Sequence, residues 1–251
     1  MEKGCRFQNC GGFVLGYSFL FPETRLLFEG YLTEETDCSE YNQIRITPEF
    51  MQENRWLVDE NEESQPFIEF QCLMLATGNA LLTHKRALFH GAAFLWRGKA
   101  WIITAPSGTG KTTQLKHWRK TLRREIQVIN GDKPLLECRD DSSVWVHSSP
   151  WRGKEKLGRP DMHAPLGGIL LLEQGDHNEI RRLTPEEAVL PLFVEFVSYP
   201  ECEDQIRGQA QILRQILDTV PVWKLVNLGD EASARLTQQT LKNYLEDAKD
   251  E

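Results

Sequence analysis

No stretch of this chain approaches the roughly 20 consecutive apolar residues that span a bilayer, and it holds no internal repeat or low-complexity tract. Its first residues, Met1-Glu2-Lys3-Gly4-Cys5-Arg6, lack the basic-then-apolar layout of a secretory signal. Cysteine is sparse. The six (Cys5, Cys10, Cys38, Cys72, Cys138, Cys202) are scattered, and no Cys-x-x-Cys pair occurs. Such spacing argues against zinc ligation and against a disulfide scaffold, while reduced cysteines in apolar stretches behave as small core residues. Spare positive charge is missing as well. The 29 Lys and Arg are outnumbered by 37 Asp and Glu, giving a net charge of −8, which argues against a nucleic-acid or anionic-membrane partner. These absences together predict a cytoplasmic protein that binds neither nucleic acid nor membrane.

What is present is ordinary for a globular chain: 251 residues, 40% hydrophobic and 26% charged. That length suits one large α/β domain, or a small domain beside a medium one. The most informative stretch is Ala105-Pro106-Ser107-Gly108-Thr109-Gly110-Lys111-Thr112-Thr113. The run Ala100-Trp101-Ile102-Ile103-Thr104 before it reads as a buried strand, and Gln114 to Lys120 after it reads as a helix. Strand, glycine-bearing turn, Gly-Lys-Thr and helix form the context a phosphate-binding loop requires. Ser107, Gly108, Thr109, Gly110, Lys111, Thr112 and Thr113 are therefore the candidate ATP-binding residues. Small residues let backbone N–H groups turn onto phosphate oxygens, and the helix start adds unpaired amides. Lys111 would reach the β- and γ-phosphates, and the Thr112 hydroxyl would ligate Mg²⁺. Ala105 stands where the usual pattern begins with glycine.

Ahead of the loop, the chain reads as a small β-rich lobe over residues 1–65 and a second domain over 66–251. Phe13 to Phe21, Leu26 to Leu32 and Ile44 to Thr47 are aromatic or β-branched runs that predict strands. Asp59 to Ser64 is an acidic loop. From Phe67 to Leu88, apolar residues recur at three and four, which predicts an amphipathic helix bent near Gly78. His90 to Trp96 predicts a strand joined by a tight turn to the loop's own strand, which puts His90 near the loop if the pair is antiparallel.

Beyond the loop helix, Ile126 to Ile129 predicts a short strand ending in Asn130-Gly131-Asp132. A carboxylate at that place suits a Mg²⁺ ligand or a general base, which makes Asp132 a metal and catalytic candidate. Leu135 to Val146 reads as a hairpin about Asp140-Asp141-Ser142, so the sheet is mixed. The loop from Ser148 to Pro160 gathers Arg152, Lys154, Lys156 and Arg159. It could close on phosphates or on an acidic substrate segment, or be a solvated loop; Arg152 is its cofactor-binding candidate. Leu166 to Glu173 is an apolar strand ending in an acid, and Glu173 rivals Asp132 for the metal. The remainder reads as mainly helical: a capping box at Thr184-Pro185-Glu186-Glu187, a helix over 203–219, a strand at Val222 to Val226 and a helix capped by Asp230.

On these residues the chain resembles the HPr kinase/phosphorylase family and its relative, ATP-dependent phosphoenolpyruvate carboxykinase. Ser107 to Thr113 is similar to the carboxykinase phosphate loop, and Leu88-Phe89-His90-Gly91 to the His-Gly segment before the HPr-kinase loop. Asn130-Gly131-Asp132 falls where both families carry an acidic pair, with glycine in place of one acid. The Ser-Pro-Trp loop and helix pair resemble smaller HPr-kinase-like proteins, some of which accompany ribosomally made peptide natural products. The match covers about residues 85–246. The carboxykinase's oxaloacetate-binding arginines have no counterpart, nor does the C-terminal signature of phosphorolysis.

The resemblance implies an α/β fold with a mixed β-sheet phosphate-loop kinase domain. It implies an ATP- and Mg²⁺-dependent kinase acting on a Ser or Thr hydroxyl of a small protein or peptide. Lys111, Asp132 and His90 would be catalytic, and Thr112 and Asp132 would hold the metal. His90 would orient substrate or stabilise transferred charge, or be a structural strand-end residue. A small-metabolite kinase and a nucleotide-binding module without turnover fit the same loop, and a homo-oligomer is compatible with the sequence.

Overall fold

The computed structural model describes residues 5–7, 13–33 and 43–247; Cys10 and Cys38 lie outside them. Strands β1 (Cys5–Phe7), β2 (Gly16–Tyr17), β3 (Leu32–Thr33) and β4 (Gln43–Ile44) form a small sheet in the order β3-β1-β2-β4. Two short helices, α1 (Pro22–Leu27) and α2 (Pro48–Glu53), complete this part. The run from Leu26 to Leu32 is therefore a helix end, a turn and the first residue of β3 rather than one strand. Pro22 and Glu23 in the first turn favour α1, and Gly30 turns the chain at φ +80°. The strand expected from Ile44 to Thr47 stops early because Thr47 is the N-cap of α2, accepting the Phe50 N–H, with Pro48 next.

Helix α3 (Gln65–Leu82) ends six residues before the expected Leu88, because Lys85 takes φ +55° and the chain leaves as β5 (Arg86–Leu88). Gly78 has a packing role: a Cβ there would lie 1.8 Å from the carbonyl oxygen of Val197. One face of α3 shares a core with Leu15, Tyr17, Phe28, Leu88, Leu135 and Trp151. The N-terminal sheet is thus packed onto the same core as the sheet that follows.

That sheet takes in β6 (Ala92–Trp96), β7 (Lys99–Thr104), β8 (Gln127–Asn130), β9 (Leu135–Cys138), β10 (Val144–His147) and β11 (His163–Gln174). Helix α4 (Lys111–Leu122) crosses from β7 to β8. The strand order is β5-β9-β10-β11-β7-β6-β8, with β13 (Val222–Asn227) also pairing β11 and β12 (Glu179–Arg182) pairing β13. The first residues of β11 run antiparallel to β10, and its later ones run parallel to β7 and β13. The sheet is mixed, as expected.

Alternation sorts the side chains between two cores. Ala93, Ile102, Ile169 and Val222 face helices α5 (Pro185–Phe193) and α6 (Glu203–Thr219). Their neighbours Phe94, Ile103, Leu170 and Trp223 face α4 and α7 (Glu231–Asp247). The capping box forms at Thr184 and Glu187, and Asp230 accepts the Ser233 N–H at the start of α7. Cys72 and Cys138 are buried free thiols, which burial pushes up to about 11 and about 12, while Cys202 is exposed. Among the described residues no helix is long and apolar enough to cross a membrane.

Candidate functional site

Register brings four chain segments to one edge of the sheet. β6 and β7 are antiparallel with Ala92 opposite Ile103, so the start of β6 lies beside the end of β7. β8 is antiparallel to β6 with Asn130 opposite Ala93, so the end of β8 arrives there too. β11 is parallel to β7 with Leu171 opposite Thr104, so Glu173 and Gln174 emerge at the same edge.

The loop from Ala105 to Gly110 leaves β7 at this edge and enters α4 at Lys111. Gly108 and Gly110 take φ +82° and +108°, values that glycine adopts without steric cost. A Cβ on Gly108 would meet nothing within 4 Å, so the space beside it is open. Thr109 closes the turn with its N–H and hydroxyl on the Pro106 carbonyl. Lys111 Nζ donates to the carbonyl oxygens of Ala105 at 2.6 Å and Pro106 at 3.2 Å. Burial pushes the Lys111 pKa down, while the nearby carboxylates of Glu195 and Asp132 pull it back up. Thr112 and Thr113, in the first turn of α4, are exposed.

Asp132 follows β8 in a turn built by Asn130, whose Oδ1 accepts the N–H groups of Asp132 and Lys133. Its Oδ1 is 2.9 Å from Lys133 Nζ and 3.6 Å from His90 Nε2. On the other side of the ring, His90 Nδ1 lies 2.9 Å from Glu195 Oε2. The same two residues are joined through the backbone, where the His90 N–H donates to the Glu195 carbonyl at 2.7 Å. Thr104, the last residue of β7, donates its hydroxyl to the His90 carbonyl. His90 is thereby held against the strand that carries the loop.

The structure thus brings Lys111, Asp132 and His90 together, and adds Lys133 and Glu195. Sequence reasoning missed both additions. The available signal for Glu195 was an acid inside the apolar run Phe193-Val194-Glu195-Phe196-Val197, now 5% exposed. Two other candidates point elsewhere. Arg152 donates to the Gly158 carbonyl and lies over the Tyr31 ring. Glu173 is paired with Lys224 at 2.6 Å.

The basic loop nevertheless belongs to this edge. Gly131 donates its N–H to the Leu157 carbonyl, and Lys133 donates its own to Trp151. A Cβ on Gly131 would lie 2.8 Å from the Arg152 carbonyl oxygen and 3.0 Å from Leu157 Cβ. The position before Asp132 is therefore closed to any side chain, which leaves a single carboxylate in the turn.

Two clefts flank the cluster. One of about 280 Å³ lies between the loop (Thr109, Gly110, Thr113) and the strand ends at Gln174, Asn227 and Gly229. The other, of about 250 Å³, has His90, Lys133 and Glu195 at one wall and an otherwise largely apolar lining.

No protein-family model and no curated protein matches the chain. Among solved structures it is similar to the Hpr(Ser) kinase/phosphatase from Coxiella burnetii, over 64% of this chain and 96% of that one, at 11% identity and a TM-score of 0.33. That likeness is distant, and the functional reading rests on the geometry of the site.

Proposed function

We propose that the chain is an ATP-dependent phosphotransferase that moves a phosphoryl group to a hydroxyl, that of a Ser or Thr on a small protein or peptide. One observation carries the reading: the glycine turn after β7 ends in Lys111, and Asp132, His90 and Glu195 converge on it. A lysine at a helix start beside an open backbone turn suits phosphate oxygens. Carboxylates and an imidazole beside it suit transfer rather than storage.

The residues present fit both ATP and Mg²⁺. Positive-φ glycines leave the turn's amides free of Cβ atoms, and Thr112 with Asp132 offers the hard oxygen donors that Mg²⁺ prefers. Among the described residues no group of three or more His, Cys, Asp or Glu could hold a metal alone. This agrees with an ion that takes its remaining ligands from phosphates and water. When bound, the ion would neutralise charge on the phosphates. Lys111 would release the loop carbonyls for phosphate oxygens, and Asp132 would hold metal or accept the hydroxyl proton. Glu195 is a positioning residue. Its Oε2, 2.9 Å from His90 Nδ1, suits the role of acceptor for a hydrogen on that nitrogen, an arrangement that turns Nε2 toward Asp132.

A second reading, a nucleotide-binding module without turnover, is favoured by the lone carboxylate and its pairing with Lys133. The test is transfer of label from γ-labelled ATP to serine- and threonine-containing peptides. Labelled peptide supports the kinase; bound nucleotide with neither ADP nor labelled product supports the module.

A further inference from the structure

The second cleft shares His90, Lys133 and Glu195 with the cluster and none of the loop's residues, and its chemistry is unlike the rest of the site. His90, Lys133 and Glu195 form its polar end, and Leu57, Leu75, Phe196, Val197 and Ser198 line the remainder. At its rim stand Trp56, Val194 and Tyr199, which are 67%, 64% and 70% exposed. Exposed Phe193 and Leu190 of α5 continue the apolar surface outward. Contiguous exposed apolar surface with aromatic members marks an interaction site more often than an idle one.

Size narrows the occupant. At about 250 Å³ the cleft is below the roughly 300–1,000 Å³ of pockets that bury a drug-sized ligand. It is large enough for a side chain of something longer, whose remainder would lie over the rim.

Resting on the kinase reading above, we propose that this cleft is the acceptor subsite, and that the acceptor is a peptide segment whose Ser or Thr sits next to an apolar or aromatic residue. The apolar side chain enters between Trp56, Val194 and Tyr199, which sets the neighbouring hydroxyl at His90 and Asp132. In the transfer the hydroxyl oxygen bonds to the γ-phosphorus. The bond from that phosphorus to the bridging oxygen breaks, ADP leaves with the electron pair, and the hydroxyl proton passes to the basic group beside it. The segment from Val194 to Tyr199 is fixed for this task. Phe196 bridges to Phe89, the Val197 N–H donates to the Leu88 carbonyl, and Asn79 clamps both backbone groups of Tyr199.

The test uses the full chain, γ-labelled ATP and a peptide array with serine fixed and its flanking residues varied among Leu, Phe, Gly, Glu and Lys. Free serine and glycerol serve as small acceptors. Leu- or Phe-flanked peptides are expected to be labelled about 10- to 200-fold more efficiently than Gly-flanked ones, the range an apolar pocket provides. Trp56→Glu and Tyr199→Glu, both at exposed positions, are expected to remove that preference while Mg-ATP affinity stays within about twofold of wild type, well under the tenfold that 1.4 kcal/mol would represent. Flank-indifferent labelling, preference for charged flanks, or labelling of free serine or glycerol alone would each overturn the subsite while leaving the phosphotransferase in place. No labelling of any acceptor, whether or not the wild type binds nucleotide, would instead remove the kinase reading itself, and the subsite with it.

Discussion

Lys111 spends its hydrogen bonds on two carbonyl groups of its own loop, at 2.6 Å and 3.2 Å. Those carbonyls hold the ammonium against the turn itself, so a phosphate bound in the turn would lie within its reach. Lys111→Ala is expected to lower phosphoryl transfer at saturating ATP by about 10²- to 10³-fold, the cost of removing one preorganised charge or donor. A steady-state assay measures it. Glu195 makes a different prediction, because it acts through His90. In ¹⁵N spectra of the wild type, His90 should carry its hydrogen on Nδ1, facing Glu195 Oε2. Glu195→Ala should mix the tautomers and lower kcat more than it changes the KM for ATP. An Nε2–H tautomer in the wild type would contradict the role.

Among the elements, those set by local rules were readable in advance. The β7–loop–α4 unit follows from glycine spacing and a lysine at a helix start, the hairpin from Arg97 and Gly98 at φ 51° and 76°, and α5 from its capping box. Where a short apolar run could serve either period, the reading failed, as at α1, which Pro22 and a buried Thr24 make a helix. Glu195 was out of reach for another reason: its partner His90 lies 105 residues away, and a single backbone bridge between Phe89 and Phe196 brings them together. In the helix expected to bend at Gly78, that glycine admits the Val197 carbonyl. Gly78→Ala should gain up to about 1 kcal/mol of helix propensity but lose more to the clash, for a net loss of about 1–3 kcal/mol. Urea unfolding measures this. Transfer should fall with it, since the displaced segment carries Glu195.

At the scale of the whole molecule, one side of the sheet buries charge away from the site. His147 Nε2 lies 2.9 Å from Glu137 Oε2, and Glu137 also holds Arg86 and Arg139. His147 Nδ1 has no hydrogen-bond partner among the described residues, so a second proton there would be buried and unpaired. Burial holds the His147 pKa down at about 4, against an ordinary 6.5. A depressed folded pKa means that the unfolded chain takes up protons first. This contribution is complete above about pH 6.5 and is lost as pH falls toward 4. Its size is on the order of 3 kcal/mol. Urea denaturation across that window should show the decline in the wild type and a shallower one in His147→Gln.

Every catalytic role above depends on the turn between β7 and α4 holding a triphosphate. Calorimetric titration of Mg-ATP into the wild type and Lys111→Ala, side by side, tests that most directly. The account predicts saturable binding at one site in the wild type, weakened about 10- to 100-fold in the variant by loss of a charge-assisted contact. No binding by the wild type, or equal affinity in the two proteins, would contradict it.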